Sequence, residues 1–154
     1  MTDIEQKLEQ AGLVLPQVKQ PLGAYVAVMQ SGNLLYVSGQ GPVLANSQAI
    51  TGRLGDDLDI EDGHRAAQIC ALNIVAQLKF FLDNDWARLK QIVQLTGYIN
   101  STPDFTHQPA VLNGASELLQ LLFGEGGRHS RVAVGVAALP MNWAVEIAAI
   151  IEVY

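Results

Sequence analysis

The stretch from Gly124 to Tyr154 constrains this chain more than any other. It holds two β-type runs on either side of Leu139-Pro140-Met141-Asn142, and that outline predicts an antiparallel hairpin. Alternate residues of a strand share a face. On the first run Val132, Val134 and Val136 form a bulky face, with Arg131, Ala133, Gly135 and Ala137 opposite. On the second, Trp143, Val145, Ile147, Ala149, Ile151 and Val153 are all apolar, and Glu146 lies on the other face between Ala144 and Ala148. A hairpin that aligns the two bulky faces sets Arg131 beside Glu146 among small residues. A face of that kind, carrying two opposite charges, reads as the floor of a cleft rather than as core.

A chain of 154 residues is long enough to bury one core, so residues 1–154 are expected to form one domain. Hydrophobic content of 49% against a charged content of 16% excludes a disordered chain and points to apolar surface covered by a further copy. The net charge of −6, with the basic residues scattered, argues against a nucleic-acid partner. A single cysteine, Cys70, excludes an internal disulfide framework and fits a reducing compartment. The N-terminus lacks the plan of a signal peptide, and no apolar run approaches the ~20 residues of a membrane span, so the expected location is cytoplasmic.

Thr2 and Glu5 form a capping box, and Ile4, Leu8 and Leu13 line one side of a short helix ending near Ala11. Residues 1–16 thus read as a helical extension. Ala24 to Gln30 and Leu34 to Gly39 predict a hairpin around Ser31-Gly32-Asn33, followed by a polar loop from Val43 to Ile60. Glu61 to Leu82 is the strongest helix, with Ala67, Ala71, Ile74, Leu78 and Phe81 at helical spacing and Cys70 pointing inward as a small buried hydrophobe. Ile92 to Asn100 predicts a strand, and Pro109 to Phe123 a second long helix stopped by Gly124. Trp143 reads as core, and Trp86 as packing a loop over a helix end. Strands alternating with two helices predict an α/β (α+β) two-layer sandwich with a mixed sheet.

Motifs for common cofactors are missing. There is no phosphate loop, no dinucleotide fingerprint and no nucleophile elbow, and His64, His107 and His129 lack zinc spacing. No cofactor or metal is expected. Arginine offers a rigid fork that grips a carboxylate, and a glutamate near an apolar floor has its pKa raised toward the range useful for proton transfer. Arg131 and Glu146 are therefore either a clamp and proton carrier for a small carboxylic acid or an ordinary ion pair across the hairpin. The residues alone leave both open.

Tyr25, Ser38-Gly39-Gln40, Asn113, Ser130-Arg131, Leu139-Pro140 and Val145-Glu146-Ile147 resemble the signature of the RidA (YjgF, endoribonuclease L-PSP) family. The resemblance runs from about Tyr25 to Val153. The N-terminal extension and the loop from Thr106 to Val111 suggest a longer-chain subgroup. It implies a chorismate-mutase-like fold with two helices on one face of the sheet, and a homotrimer with a cleft between neighbouring subunits. In active members the cleft hydrolyses reactive enamines and imines to 2-keto acids and ammonia. By position, Arg131 clamps the substrate carboxylate and Glu146 handles the water, while Tyr25, Ser38, Gly39, Asn113 and Ala133 line the cleft, Tyr25 from the neighbouring subunit. The archetype has cysteine where this chain has Ala133 and glutamate where it has Gly135, which implies a wider, more apolar cleft. Other readings are a non-catalytic trimer that binds a small carboxylate, and a ribonuclease using His129. A satisfied surface histidine is the plainer reading of His129.

Overall fold

The computed structural model describes residues 1–18, 20, 21 and 23–154. The helices are α1 (Asp3–Gln10), α2 (Ile60–Phe81) and α3 (Gln108–Phe123). The strands are β1 (Val28–Ser31), β2 (Leu34–Gln40), β3 (Leu89–Asn100), β4 (Ser130–Val136) and β5 (Val145–Val153). They form one sheet in the order β1-β2-β5-β3-β4, parallel only between β3 and β4. The helices cover one face, so the mixed two-layer sandwich with a short N-terminal helix is the observed architecture. None of the helices is long and apolar enough to cross a membrane.

Local chemistry accounts for the element ends. Thr2 accepts from the Glu5 amide at 3.2 Å while Glu5 accepts from the Thr2 amide at 2.9 Å, the expected capping box. Glu5 also pairs with Lys79 at 2.9 Å, which fastens α1 to α2; that bond first, then the Thr2 amide, holds its carboxyl down to about 2. Asp59 and Asp62 cap α2 in the same reciprocal way. The core lies between α2, α3 and the covered sheet face, where Leu35, Leu95, Ile99, Ile147 and Ile151 are fully enclosed. Cys70 is there too, 3.5 Å from the Val145 carbonyl, and burial pushes its thiol well up, so it is an inert hydrophobe as expected. Gly114 lets α3 cross close to α2, since a Cβ on it would collide with the His64 carbonyl oxygen.

The closing hairpin does not form. β4 and β5 flank β3 and share no hydrogen bonds. β3, α3 and β4 make a βαβ unit, which puts β4 parallel to β3 on one side, while β5 returns antiparallel on the other. Asn100, buried at the end of β3, directs the crossing. Its side-chain amide donates to the Gly52 carbonyl at 3.0 Å, Asn142 Oδ1 at 3.2 Å and the Trp143 carbonyl at 3.2 Å. The turn itself bends through Met141 and Asn142, both at positive φ (53° and 57°).

Other boundaries moved less. The first strand starts later than the expected Ala24, since β1 pairs with β2 only from Val28 to Ser31; β2 is also bulged against β5 between Val37 and Gln40. There Ser38 reaches back with its hydroxyl to the Val26 carbonyl at 2.8 Å. Trp143 is half-buried in the turn before β5 rather than in the core, and Trp86 packs on Phe123 at the end of α3, with ring centroids 5.6 Å apart.

Candidate functional site

Register decides where the expected site residues point. Leu95 of β3 lies opposite both Arg131 and Ala149, so Arg131, Ala133 and Gly135 share the helix-covered face with the core strand residues. Tyr98 lies opposite both Glu146 and Val134, so Glu146 faces the uncovered side. Arg131 and Glu146 are thus two strands apart laterally, offset by the three residues from Leu95 to Tyr98 along β3, and on opposite faces. The expectation that one chain brings them together is wrong. The bulky faces of the two runs do not align either: that of β5 meets the helices, and Val132 and Val134 of β4 remain 45% and 40% exposed.

Arg131 sits at the sheet edge beneath α3. Its Nη1 donates to Ser116 Oγ at 3.0 Å and its Nη2 to the Pro109 carbonyl at 3.1 Å. Pro109, Asn113 and Ser116 share one side of α3 by helical spacing, so the exposed Asn113 stands between the two groups that hold the guanidinium. The Oγ of Ser116, a residue only 7% exposed, is 2.8 Å from His129 Nε2, and His129 Nδ1 is 2.7 Å from the Gly127 carbonyl. A carbonyl only accepts, so Nδ1 carries the proton, Nε2 accepts, and the Ser116 hydroxyl donates to it while accepting from Arg131. Burial lowers the His129 pKa, the Gly127 carbonyl opposes this, and the Arg131 charge adds to the lowering. Sequence reasoning assigned His129 to the surface and overlooked Ser116; a serine inside an otherwise apolar helix stripe was the available signal. Among the described residues no carboxylate pairs with Arg131, which leaves guanidinium N–H groups for an anion.

Gly135 has a local reason to be glycine, since a Cβ there would come within 2.6 Å of Ser101 Oγ and 3.0 Å of Gln108 Nε2. A side chain at this position would require the Ser101 hydroxyl and the Gln108 amide to shift. Ala133 packs against the core from the same strand face.

The second group lies around Glu146. Its half-buried carboxyl has its pKa raised by burial, and no described residue binds or pairs with it. Gly39 packs on it so closely that a Cβ would lie 2.8 Å from Glu146 Cδ. Ser38 precedes Gly39 in the interrupted part of β2, with its hydroxyl proton committed to Val26. Tyr25, 55% exposed, shares with Gly39 the wall of a cavity of about 360 Å³. The expected residues therefore divide into Arg131, Asn113 and Ala133 at the β4 edge beneath α3, and Glu146, Gly39, Ser38 and Tyr25 around β2 and β5.

Residues 5–153 match the family described as YjgF/chorismate mutase-like, putative endoribonuclease, and the chain belongs to it. It is 44% identical to Protein TCP17 of Trypanosoma cruzi over 94% of this chain and 91% of that protein. It is 29% identical to a 2-iminobutanoate/2-iminopropanoate deaminase of Dermatophagoides farinae, over 90% of this chain and 92% of the relative. An Agrobacterium tumefaciens protein of unknown function superposes with a TM-score of 0.91 at 45% identity, covering 98% of this chain and 94% of its own.

Proposed function

We propose that this protein hydrolyses small 2-imino acids, with their 2-enamino tautomers, to 2-keto acids and ammonia, in a cleft formed by two copies of the chain within a homotrimer. The observation that carries the reading is the division of the site residues. A cation without a carboxylate partner lies on one side of the sheet edge, and a carboxylate of raised pKa lies on the other. One chain cannot present both to a small molecule, but the β4 edge of one copy against the open face of the next can. That open face carries exposed apolar side chains toward both edges of the sheet, Met29 (57%) and Tyr36 (43%) on β1 and β2 and Val132 and Val134 on β4, as suits a face covered by another copy. Family membership and the deaminase relative at 29% identity point the same way.

In this reading Arg131 grips the substrate carboxylate through the N–H groups that Ser116 and Pro109 leave over. Asn113 and Ala133 form the adjoining wall. Glu146 of the neighbouring copy takes a proton from water as the oxygen bonds to the imine carbon. It passes that proton to the nitrogen, giving a carbinolamine, then carries the remaining hydroxyl proton to the same nitrogen as the carbonyl forms, the carbon–nitrogen bond breaks and ammonia leaves. A pKa above the ordinary carboxyl range suits both halves of that exchange. Gly39, Ser38 and Tyr25 shape the side of the cleft around Glu146.

A ribonuclease role has less support. Both ring nitrogens of His129 are engaged, and the net charge of −6 repels a phosphate backbone. The proposal is tested by following ammonia released from imines that an L-amino-acid oxidase generates in situ. Arg131→Ala is expected to lower kcat/KM about a hundredfold. Saturable 2-keto acid binding without any ammonia release by the unmodified protein would instead mark a non-catalytic carboxylate-binding trimer.

A further inference from the structure

The cavity of about 360 Å³ that begins at Tyr25 and Gly39 extends beyond the residues assigned to the cleft. It runs along the edge of β2, past the point where β1 ends, to Val43, Ala49 and Trp143, with α2 as its far wall. The Trp143 ring lies against bare backbone at Gly41, where a Cβ would come within 2.6 Å of it. From α2, Asn73 fastens the wall, its amide donating to the carbonyls of Gly41 at 3.2 Å and Val43 at 2.9 Å. Gln77 also faces the cavity. Its side chain makes no hydrogen bond to another described residue, and its amide opens onto the cavity rather than being enclosed.

Size limits the occupant. A cavity of about 150 Å³ lined by apolar groups already accepts a benzene, so a methyl or ethyl side chain would leave most of this space unfilled. Gly39 links the cavity to the reacting position: it lines the cavity and packs on the Glu146 carboxylate, which is not itself part of the cavity wall. We propose that the cavity receives the substrate side chain, and that the substrate is a 2-imino acid with a large, mainly apolar side chain, aryl or branched alkyl. This rests on the hydrolytic reading above and gives it a substrate class. The imine carbon lies at Glu146, the carboxylate at Arg131 of the adjoining copy, and the side chain passes Gly39 toward Trp143, with Gln77 meeting any polar atom it carries.

Imines are short-lived, so the corresponding 2-keto acids serve as probes. Titration calorimetry of the full chain is expected to show phenylpyruvate binding at least tenfold tighter than pyruvate. Ala49→Phe, which fills the cavity, should bring the ratio of the two affinities near one. Equal affinities in the unmodified protein overturn the proposal without recourse to any variant. So does a lack of binding by either acid, or a preference that survives in correctly folded Ala49→Phe protein. Arg131→Ala separates the two readings. If the phenylpyruvate preference and affinity persist in it and are lost in Ala49→Phe, the cavity proposal stands and the carboxylate clamp falls.

Discussion

Ser116 fixes the direction in which Arg131 can act. A hydroxyl has one proton, and here it goes to His129 Nε2, leaving the oxygen lone pairs for the guanidinium. The arrangement needs neutral His129, and burial together with the nearby arginine lowers its pKa from the ordinary 6.5. The consequence for stability has a definite sign. Below 6.5 the unfolded histidine takes up a proton that the folded one resists, so stability falls as pH drops from 6.5 toward the lowered value. His129→Asn is therefore expected to flatten the acid side of a melting-temperature profile between pH 6.5 and 5, whereas Glu146→Gln should not. An identical acid slope in His129→Asn would remove His129 from the account. Raised by burial, Glu146 works in the opposite sense: its charged form costs stability as pH rises above 4.5 through its folded pKa. Replacement by glutamine should therefore raise the melting temperature near neutrality, a common trade between stability and function.

Among the elements, β3 and the turn before β5 decide whether there is a site at all. Asn100→Ala removes the donor to the Gly52 and Trp143 carbonyls and is expected to cost about 1–3 kcal/mol, seen as a lower urea midpoint with unchanged slope. Much of this level was legible in the sequence. The reciprocal cap at Thr2, the stripe around Cys70 and the Ser31-Gly32-Asn33 turn are signals between residues close in the chain, and local chemistry settles them. Strand order is not local. Two β runs separated by a short turn suggest a hairpin, yet the parallel pairing of β3 with β4 through α3, and the Asn100 contacts, carry the chain across a strand instead. Parity within each run was right, because strand geometry fixes it. The mutual alignment of the runs was wrong, since it depended on which strand lay between them. Ser116 and His129 went unseen as a pair for the same reason: their contact joins a helix to the start of a strand.

For the molecule as a whole, a chain with an uncovered apolar sheet face and two half-sites on opposite sides calls for self-association. In the proposed trimer symmetry would multiply the site, each copy giving its β4 edge to one neighbour and its Glu146 face to the other. The most direct measurement mixes two inactive variants, Arg131→Ala and Glu146→Gln, by co-refolding in equal amounts. Over all randomly assembled trimers about a quarter of the clefts receive an intact arginine from one copy and an intact glutamate from the next. Ammonia release should therefore recover to roughly a quarter of the unmodified rate. Recovery that fails to rise above the two variants alone, in trimers shown to be mixed, would contradict a site shared between copies.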